Sequence, residues 1–152
     1  MHTIRMAQYS DLDPLVAMRL LLWPGSSYEE ESQQAQTLLS TGMSGTLPPA
    51  ILVAQDGDGS LVGFLEVGLR SHADGCDTAH AVGFVEGWFV DAAHRGRGVG
   101  RDLMRAAEYW ARAQGCAEMA SDALIDNQAS QRAHQSLGFG VVDRCVHFRK
   151  AL

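Results

Sequence analysis

Hydrophobic positions along the chain recur first with the period of helices. The segment SDLDPLVAMRLLLW repeats its apolar side chains at helical spacing, and Pro24-Gly25 ends it. The next segment, SYEEESQQAQTLLST, begins with Ser27 and Glu30 at the spacing of a capping box, which predicts a second helix through about Thr41. The short apolar segment HTIRMA precedes both helices and predicts a first strand.

Strand patterns dominate the middle of the chain. The runs AILVAQ and SLVGFLEVGLR flank DGDG, whose Asp-Gly pairs suit a tight hairpin, so we expect two antiparallel strands. After the polar loop SHADGCDTAH, the apolar run AVGFVEGWFV predicts a largely buried central strand.

The remaining pattern predicts helices that alternate with strands. A helix runs from Val99 to about Gly115, the strand AEMASDAL follows, a short helix covers about Asn127 to Ser136, and FGVVDRCVHFRK alternates as a last strand. The predicted order is β-α-α-β-β-β-α-β-α-β, a mixed α/β fold that spans residues 1–152 as one domain.

Composition and charge narrow the class of protein. Of the 152 residues, 46% are hydrophobic and 20% are charged, which is typical of a globular domain with its own core. The absence of an apolar leader and of paired cysteine spacing predicts a cytoplasmic protein with reduced thiols and no membrane span. The net charge of −6 disfavours nucleic-acid and anionic-membrane partners and favours a cationic one.

A glycine-rich loop concentrates basic residues within this acidic chain. Five of the 12 basic residues fall between Arg95 and Arg112, and HRGRGVGRDLMRAA opens the helix there. The loop lacks the Lys-Ser/Thr pair of a P-loop and the G-x-G-x-x-G spacing of dinucleotide sites. Without side chains at Gly96, Gly98 and Gly100, backbone N–H groups at the helix start could approach a pyrophosphate. Taken alone, a tight turn with solvated arginines explains the loop equally well.

The sequence around this loop resembles the GNAT superfamily of acetyl-CoA-dependent N-acetyltransferases. The family signature, Arg/Gln-x-x-Gly-x-Gly/Ala after a central strand, matches Arg95, Gly98 and Gly100. A downstream Asn, a short helix and a Gly-Phe pair match Asn127 and Gly138-Phe139. The resemblance implies a GNAT-like acyltransferase fold with a bulge in the central strand, acetyl-CoA as co-substrate and no metal. The coenzyme contacts that it implies are Trp88, Phe89, Val90, Arg95, Gly96, Arg97, Gly98, Val99, Gly100, Asn127, Ser130 and His134.

Within that superfamily, the chain is similar to the aminoglycoside 6′-N-acetyltransferases. The similarity rests on LLWPG, the GCD of DGCD, FVEGWFV, EMASD, HQSLGF and the terminal FRK, in that order. It implies acetylation of the 6′-amine of drugs such as kanamycin, hence antibiotic resistance, by an enzyme that forms a homodimer. It places the substrate against Trp23, His72, Glu86, Asp122 and Asp143, with Asp122 or Glu86 as the base.

The residues themselves favour such chemistry. An amine must be neutral to attack a thioester, and a polycationic sugar needs carboxylates to bind it. Glu86 lies in an apolar strand, so we expect it to be functional or to pair with a buried arginine or with backbone N–H groups, because burying a lone carboxylate is costly. Asp122 ends the next strand and is either a second functional carboxylate or a turn residue. Trp23 fits a core position as well as a substrate contact.

Other functions fit parts of the same pattern. A GNAT enzyme could instead acetylate a polyamine, another small amine or a protein N-terminus. A non-catalytic sensor could bind coenzyme A or another anion, although it would have no need of carboxylates beside the acyl group.

Two features of the pattern concern histidines. His72, Cys76 and His80 are spaced four residues apart, but a fourth ligand is missing, so the spacing does not indicate a zinc site. Where many GNAT enzymes carry a Tyr that protonates the leaving thiolate, this chain has His134, which could also donate a proton.

Overall fold

The computed structural model describes residues 1–41 and 49–152, which fold around a five-stranded sheet. The strands, in their spatial order, are β1 (His2–Met6), β2 (Ala50–Asp56), β3 (Leu61–Arg70), β4 (Val82–Val90) and β5 (Met119–Ser121). The first four pair antiparallel, whereas β5 pairs parallel with β4. The described helices are α1 (Leu12–Leu22), α2 (Tyr28–Thr41), α3 (Val99–Ala113) and α4 (Gln128–Ser136). The mixed α/β class and the predicted order up to α4 are confirmed.

Helices cover both faces of the sheet and divide the core into two layers. Leu15 of α1 packs with Phe64 of β3 on one face, and Leu103 of α3 packs with Leu65 of β3 on the other. All four side chains are fully buried. Neighbouring residues of β3 serve opposite layers because side chains alternate along a strand. Burial of each such side chain contributes about 1.5–3 kcal/mol to folding.

The predicted capping box forms at the start of α2. The backbone N–H of Ser27 donates to the Glu30 carboxylate at 3.1 Å, and the N–H of Glu30 donates to the Ser27 hydroxyl at 3.2 Å. Two donors that the helix leaves without intrahelical partners are thereby satisfied. The helix therefore begins where the sequence pattern places it.

The predicted last strand does not form within the chain. Residues 140–152, the C-terminal arm, contain no helix or strand and are exposed throughout. Val142, Val146 and Phe148 are 65%, 76% and 93% exposed. The alternating pattern favours a strand, but a strand needs a neighbour for its N–H and C=O groups, and the arm is not paired with the sheet. Among the described helices, none combines the length and the apolar character that a membrane crossing requires.

Candidate functional site

The expected position of a ligand crevice is the edge of the sheet where the pairing of β4 and β5 ends. The two strands pair in parallel as far as Val85 and Ser121, and β4 then continues to Val90. Ligands of open α/β sheets bind in crevices of this kind, outside the carboxyl ends of the strands. Glu86 and Asp122 are the residues that follow the last pair, so the fold places both predicted carboxylates at this edge.

A β-bulge directs Glu86 toward solvent. The residues on either side of Glu86 pair with β3, whereas Glu86 has no partner there. Its side chain is 41% exposed, and its two carboxylate oxygens accept hydrogen bonds from Nε and Nη2 of Arg70 at 3.1 and 2.9 Å. The expectation of a buried Glu86 is wrong, and so is the pairing with a buried arginine, because the Arg70 side chain is itself 46% exposed. The bulge of the central strand thus lies at Glu86 and not around Trp88 to Val90, where the resemblance implies it.

The structure also contains a group of buried charged side chains that the sequence analysis did not predict. Arg19, Glu31 and Glu66 are all buried, at 2%, 2% and 6% exposure. Arg19 donates from Nε to Glu31 at 2.7 Å and from Nη2 to Gln34 at 3.0 Å, and its Nη1 contacts the Glu66 carboxylate. Burial lowers the pKa of Arg19, while the Glu31 carboxylate opposes this shift. The sequence signal that could have revealed this group is a single charged residue in each of two apolar runs, MRLLL and GFLEV.

Trp23 joins the buried charges to the surface. A Cβ atom added to Gly87, the residue after Glu86, would lie 2.8 Å from the indole Cη2. The indole meets the Phe64 ring edge-on at 6.3 Å between centroids, and the Arg19 guanidinium lies 4.8 Å from the indole. Trp23 is half-buried. One side of the indole therefore packs on the core, and the substrate contact of its half-exposed remainder stays a prediction.

The glycine-rich loop forms a tight turn at the start of α3. Gly96 and Gly98 have φ angles of +73° and +85°, in the left-handed region that glycine adopts without strain. Arg95 donates from Nε to the Val90 carbonyl at 2.9 Å and so ties the loop to β4. The Arg101 guanidinium lies over Gly98, where an added Cβ would be 2.7 Å from Nη2. The free N–H groups at the helix start make this turn suitable for an anion.

The predicted coenzyme contacts differ in what they can present to a ligand. Phe89 and Val99 are buried in the core, at 9% and 3% exposure, so their side chains are not presented at the surface. Trp88 lies between α3 and α4: an added Cβ on Gly100 would be 3.2 Å from its Cζ2, and its ring meets His134 edge-on at 5.1 Å. Arg97 is exposed.

His134 is fixed through both ring nitrogens. Its Nδ1 lies 2.7 Å from the carbonyl oxygen of Ser130, which can only accept, so Nδ1 carries the proton. Its Nε2 accepts from the Ser121 hydroxyl at 2.7 Å. The Asn127 side chain accepts from the Ser130 N–H at 3.1 Å and caps α4. These groups dock α4 against β5, and a neutral His134 in this arrangement has no free N–H to donate.

The other predicted substrate residues, His72 and Asp143, are exposed. His72 Nε2 lies 3.7 Å from Asp74, in the loop after β3. Asp143 belongs to the C-terminal arm, whose Val142 lies over Gly75 of the same loop. Within residues 1–41 and 49–152, no group of three or more His, Cys, Asp or Glu side chains could hold a metal ion. The site as described thus consists of a glycine turn, two carboxylates, an aromatic surface and an arginine.

Comparisons with known proteins identify the family of the chain. Residues 15–139 match the profile of the Acetyltransferase (GNAT) family. The aminoglycoside N(6′)-acetyltransferase type 1 of Klebsiella aerogenes is 38% identical over 149 residues, which cover 98% of this chain and 96% of the relative. The protein of the same name from Stenotrophomonas maltophilia is 36% identical over 151 residues, 99% of this chain and 94% of the relative.

Solved structures show the same likeness in three dimensions. The acetyltransferase AAC(6′)-Iy, in complex with the bisubstrate analog CoA-S-monomethyl-acetylneamine, superposes with a TM-score of 0.88 at 33% identity, over 100% of this chain and 99% of that one. AAC(6′)-Ih from Acinetobacter baumannii gives a TM-score of 0.87 at 31% identity, over 100% and 99%.

Proposed function

The chain belongs to the GNAT acetyltransferase family, and from that premise we propose that it transfers the acetyl group of acetyl-CoA to the 6′-amine of aminoglycosides. The observation that carries the substrate assignment is the similarity, over nearly the whole chain, to aminoglycoside N(6′)-acetyltransferases. The protein would then act as an antibiotic-resistance enzyme. The charge distribution supports the proposal, because a turn suited to an anionic coenzyme and carboxylates suited to a polycationic sugar flank the same crevice.

We assign coenzyme binding to the glycine turn and the edge of β4. The N–H groups of the turn at Gly96 and Gly98 and the start of α3 would hold the pyrophosphate. The structure leaves little space for side chains at two glycines of this segment: a side chain on Gly98 would meet Arg101, and one on Gly100 would meet Trp88. The remaining proposed contacts along the coenzyme are Trp88, Phe89, Val90, Arg95, Arg97, Val99, Asn127, Ser130 and His134.

The proposed reaction is direct transfer. The neutral amine attacks the thioester carbonyl, a C–N bond forms, the C–S bond breaks, and the leaving thiolate takes up a proton. Both oxygens of Glu86 already accept N–H groups from Arg70, so Glu86 suits the binding of a cation. Asp122, exposed at the end of β5, is the better base for the amine proton, directly or through a water. Positioning and backbone N–H groups beside the carbonyl would supply most of the rate enhancement.

We also propose that two chains assemble through the C-terminal arm. The arm presents apolar side chains at alternating positions, and β5 is an edge strand of three residues with room for a neighbour. A second copy would supply that neighbour. Light scattering after gel filtration should give twice the chain mass of 16.4 kDa. The double variant Val142→Asp, Val146→Asp should give the mass of one chain, and an unchanged mass would refute this mode of assembly.

We place the reaction in the cytoplasm. Cys76, Cys116 and Cys145 are free thiols in the structure, as expected in a reducing compartment. The described strands form one sheet, which also supports a single acetyltransferase domain over residues 1–152.

Thiol release from acetyl-CoA tests the proposed function. Aminoglycosides, polyamines and short peptides are offered at equal concentration, and aminoglycosides should give the highest kcat/KM. Turnover of polyamines or peptides alone would assign another acceptor to the same chemistry. Binding of coenzyme A without turnover of any amine would identify a sensor.

A further inference from the structure

Arg70, the last residue of β3, lies across the substrate side of β4. Its guanidinium carbon is 3.5 Å from the centre of the Phe84 ring, and its N–H groups bind both oxygens of Glu86. Arg70 shares a face of β3 with Phe64, six residues earlier, which packs under α1. Trp23 of the α1 terminus contacts Phe64 and lies on this face too. Arg70 and the indole therefore lie on the same face of the sheet.

The guanidinium makes the contacts that a protonated amino sugar would make. An ammonium group seeks a carboxylate, and the apolar face of a sugar ring, like a flat cation, packs against an aromatic ring. Glu86 and Phe84 offer these two partners side by side. In the free protein both are occupied, since Phe84 is only 6% exposed beneath the arginine.

We propose that Arg70 is a specificity-determining residue that competes with the cationic substrate for a subsite formed by Phe84 and Glu86. The inference rests on the proposed function, which supplies a polycationic acceptor. The Arg70 and Glu86 side chains are 46% and 41% exposed, and an exposed ion pair adds little net stability, so a ligand can open it at small cost. Displacement of the guanidinium uncovers one face of the Phe84 ring.

This competition selects for substrates with several positive charges. A monoamine that displaces Arg70 gains one ion pair and loses another, with no net advantage. A sugar with several amino groups can place a further ammonium near Asp122. It thereby forms more ion pairs than it breaks. Because of the arginine, an acceptor must therefore carry more positive charge and make more aromatic contact in order to bind.

Steady-state kinetics of Arg70→Ala at saturating acetyl-CoA test the proposal. The KM for the aminoglycoside should fall roughly 3–10-fold, the effect of removing one unit charge a few ångströms from a cation in a solvent-exposed site. The kcat and the KM for acetyl-CoA should stay unchanged. Arg112→Ala is the matched control, because Arg112 also makes an exposed ion pair, with Glu108 at 3.7 Å on α3. Arg112→Ala should leave kcat and both KM values unchanged. In addition, the KM of Arg70→Ala for the aminoglycoside should depend more steeply on salt concentration than that of the wild type.

A second variant separates the subsite from a general charge effect. Phe84→Leu in the Arg70→Ala background should reverse most of the fall in KM that Arg70→Ala produces. If Arg70→Ala acted only by removing a repulsive charge, the fall in KM would persist in the double variant. A KM that is unchanged or higher in Arg70→Ala would overturn the proposal, and so would an equal fall in Arg112→Ala.

Calorimetric binding of an aminoglycoside in the presence of coenzyme A keeps the inference separate from the proposed function. If the wild type acetylates aminoglycosides but Arg70→Ala binds them no more tightly, the inference alone fails. If no aminoglycoside is acetylated but Arg70→Ala binds them more tightly, the inference stands and the proposed function fails. If neither is observed, both fail.

Discussion

Replacement of Gly87 by alanine should disturb the site through Trp23. The added Cβ would lie 2.8 Å from the indole Cη2, 3.0 Å from Cζ2 and 3.3 Å from the Leu22 Cδ2 atom. The indole must move outward by roughly 0.7 Å to reach ordinary contact near 3.5 Å. Overpacking of this kind costs about 1–3 kcal/mol, of which the higher strand stability of alanine recovers about 0.5–1 kcal/mol. The midpoint of the resulting net loss is about 1 kcal/mol, which corresponds to a fall in Tm of about 2–4 °C.

The same displacement should reach the acceptor substrate. If Trp23 lines the sugar site, an outward shift of its ring misplaces the amine, and misplacement on this scale lowers kcat/KM for the aminoglycoside by roughly tenfold or more. The KM for acetyl-CoA should not change, because the glycine turn at the start of α3 is not altered.

Gly68→Ala is the matched control for this experiment. Gly68 lies in the neighbouring strand β3, and a Cβ there would meet its nearest neighbour, the Pro49 Cβ, at an ordinary 3.8 Å. Neither glycine has a positive φ. Calorimetric unfolding and steady-state kinetics are compared for the two variants, and Gly68→Ala should keep or slightly raise the wild-type Tm. Equal Tm and equal kcat/KM in the two variants would refute the packing argument for Trp23.

Three further changes probe the buried charges, the base and the coenzyme turn. Arg19→Met leaves two carboxylates buried without their cation and should cost about 3–5 kcal/mol in the free energy of unfolding, measured by urea titration; a loss below 1 kcal/mol would contradict this. Asp122→Asn should lower kcat about 10²-fold or more while the exposed Asp126→Asn does not, and equal kcat values would exclude Asp122 as the base. Gly98→Ala should raise the KM for acetyl-CoA, whereas Gly115→Ala, which carries similar φ strain at +89° in open space, should only lower the Tm; an equal KM in both would place the coenzyme elsewhere.

The two glutamates of the central strands show where sequence reasoning about burial succeeds and fails. A carboxylate in an apolar strand is expected to be buried and paired, and this holds for Glu66, which meets Arg19 in the core. It fails for Glu86, because a bulge in β4 turns that side chain to solvent. A bulge arises from the pairing of two strands, so the hydrophobic pattern of one strand cannot reveal it.

The C-terminal arm shows a second limit of the same kind. Its alternation predicts a strand as a local preference, but that strand does not form within the chain, because alternation does not say whether a neighbouring strand is available. By contrast, the capping box of α2 and the glycine turn before α3 were predictable, because their determinants are local. The location of the candidate site was predicted from the same local signals, whereas the contacts of Arg70 and Arg19 join elements distant in sequence.

The most direct test of the central claim uses two aminoglycosides that differ only in an amine or a hydroxyl at the 6′ position. Each is incubated with the enzyme and acetyl-CoA, thiol release is measured, and the acetylated position is identified by NMR. We predict rapid acetylation of the 6′-amine and no comparable turnover of the 6′-hydroxyl compound. Equal turnover of both drugs, or acetylation at another amine, would contradict the account.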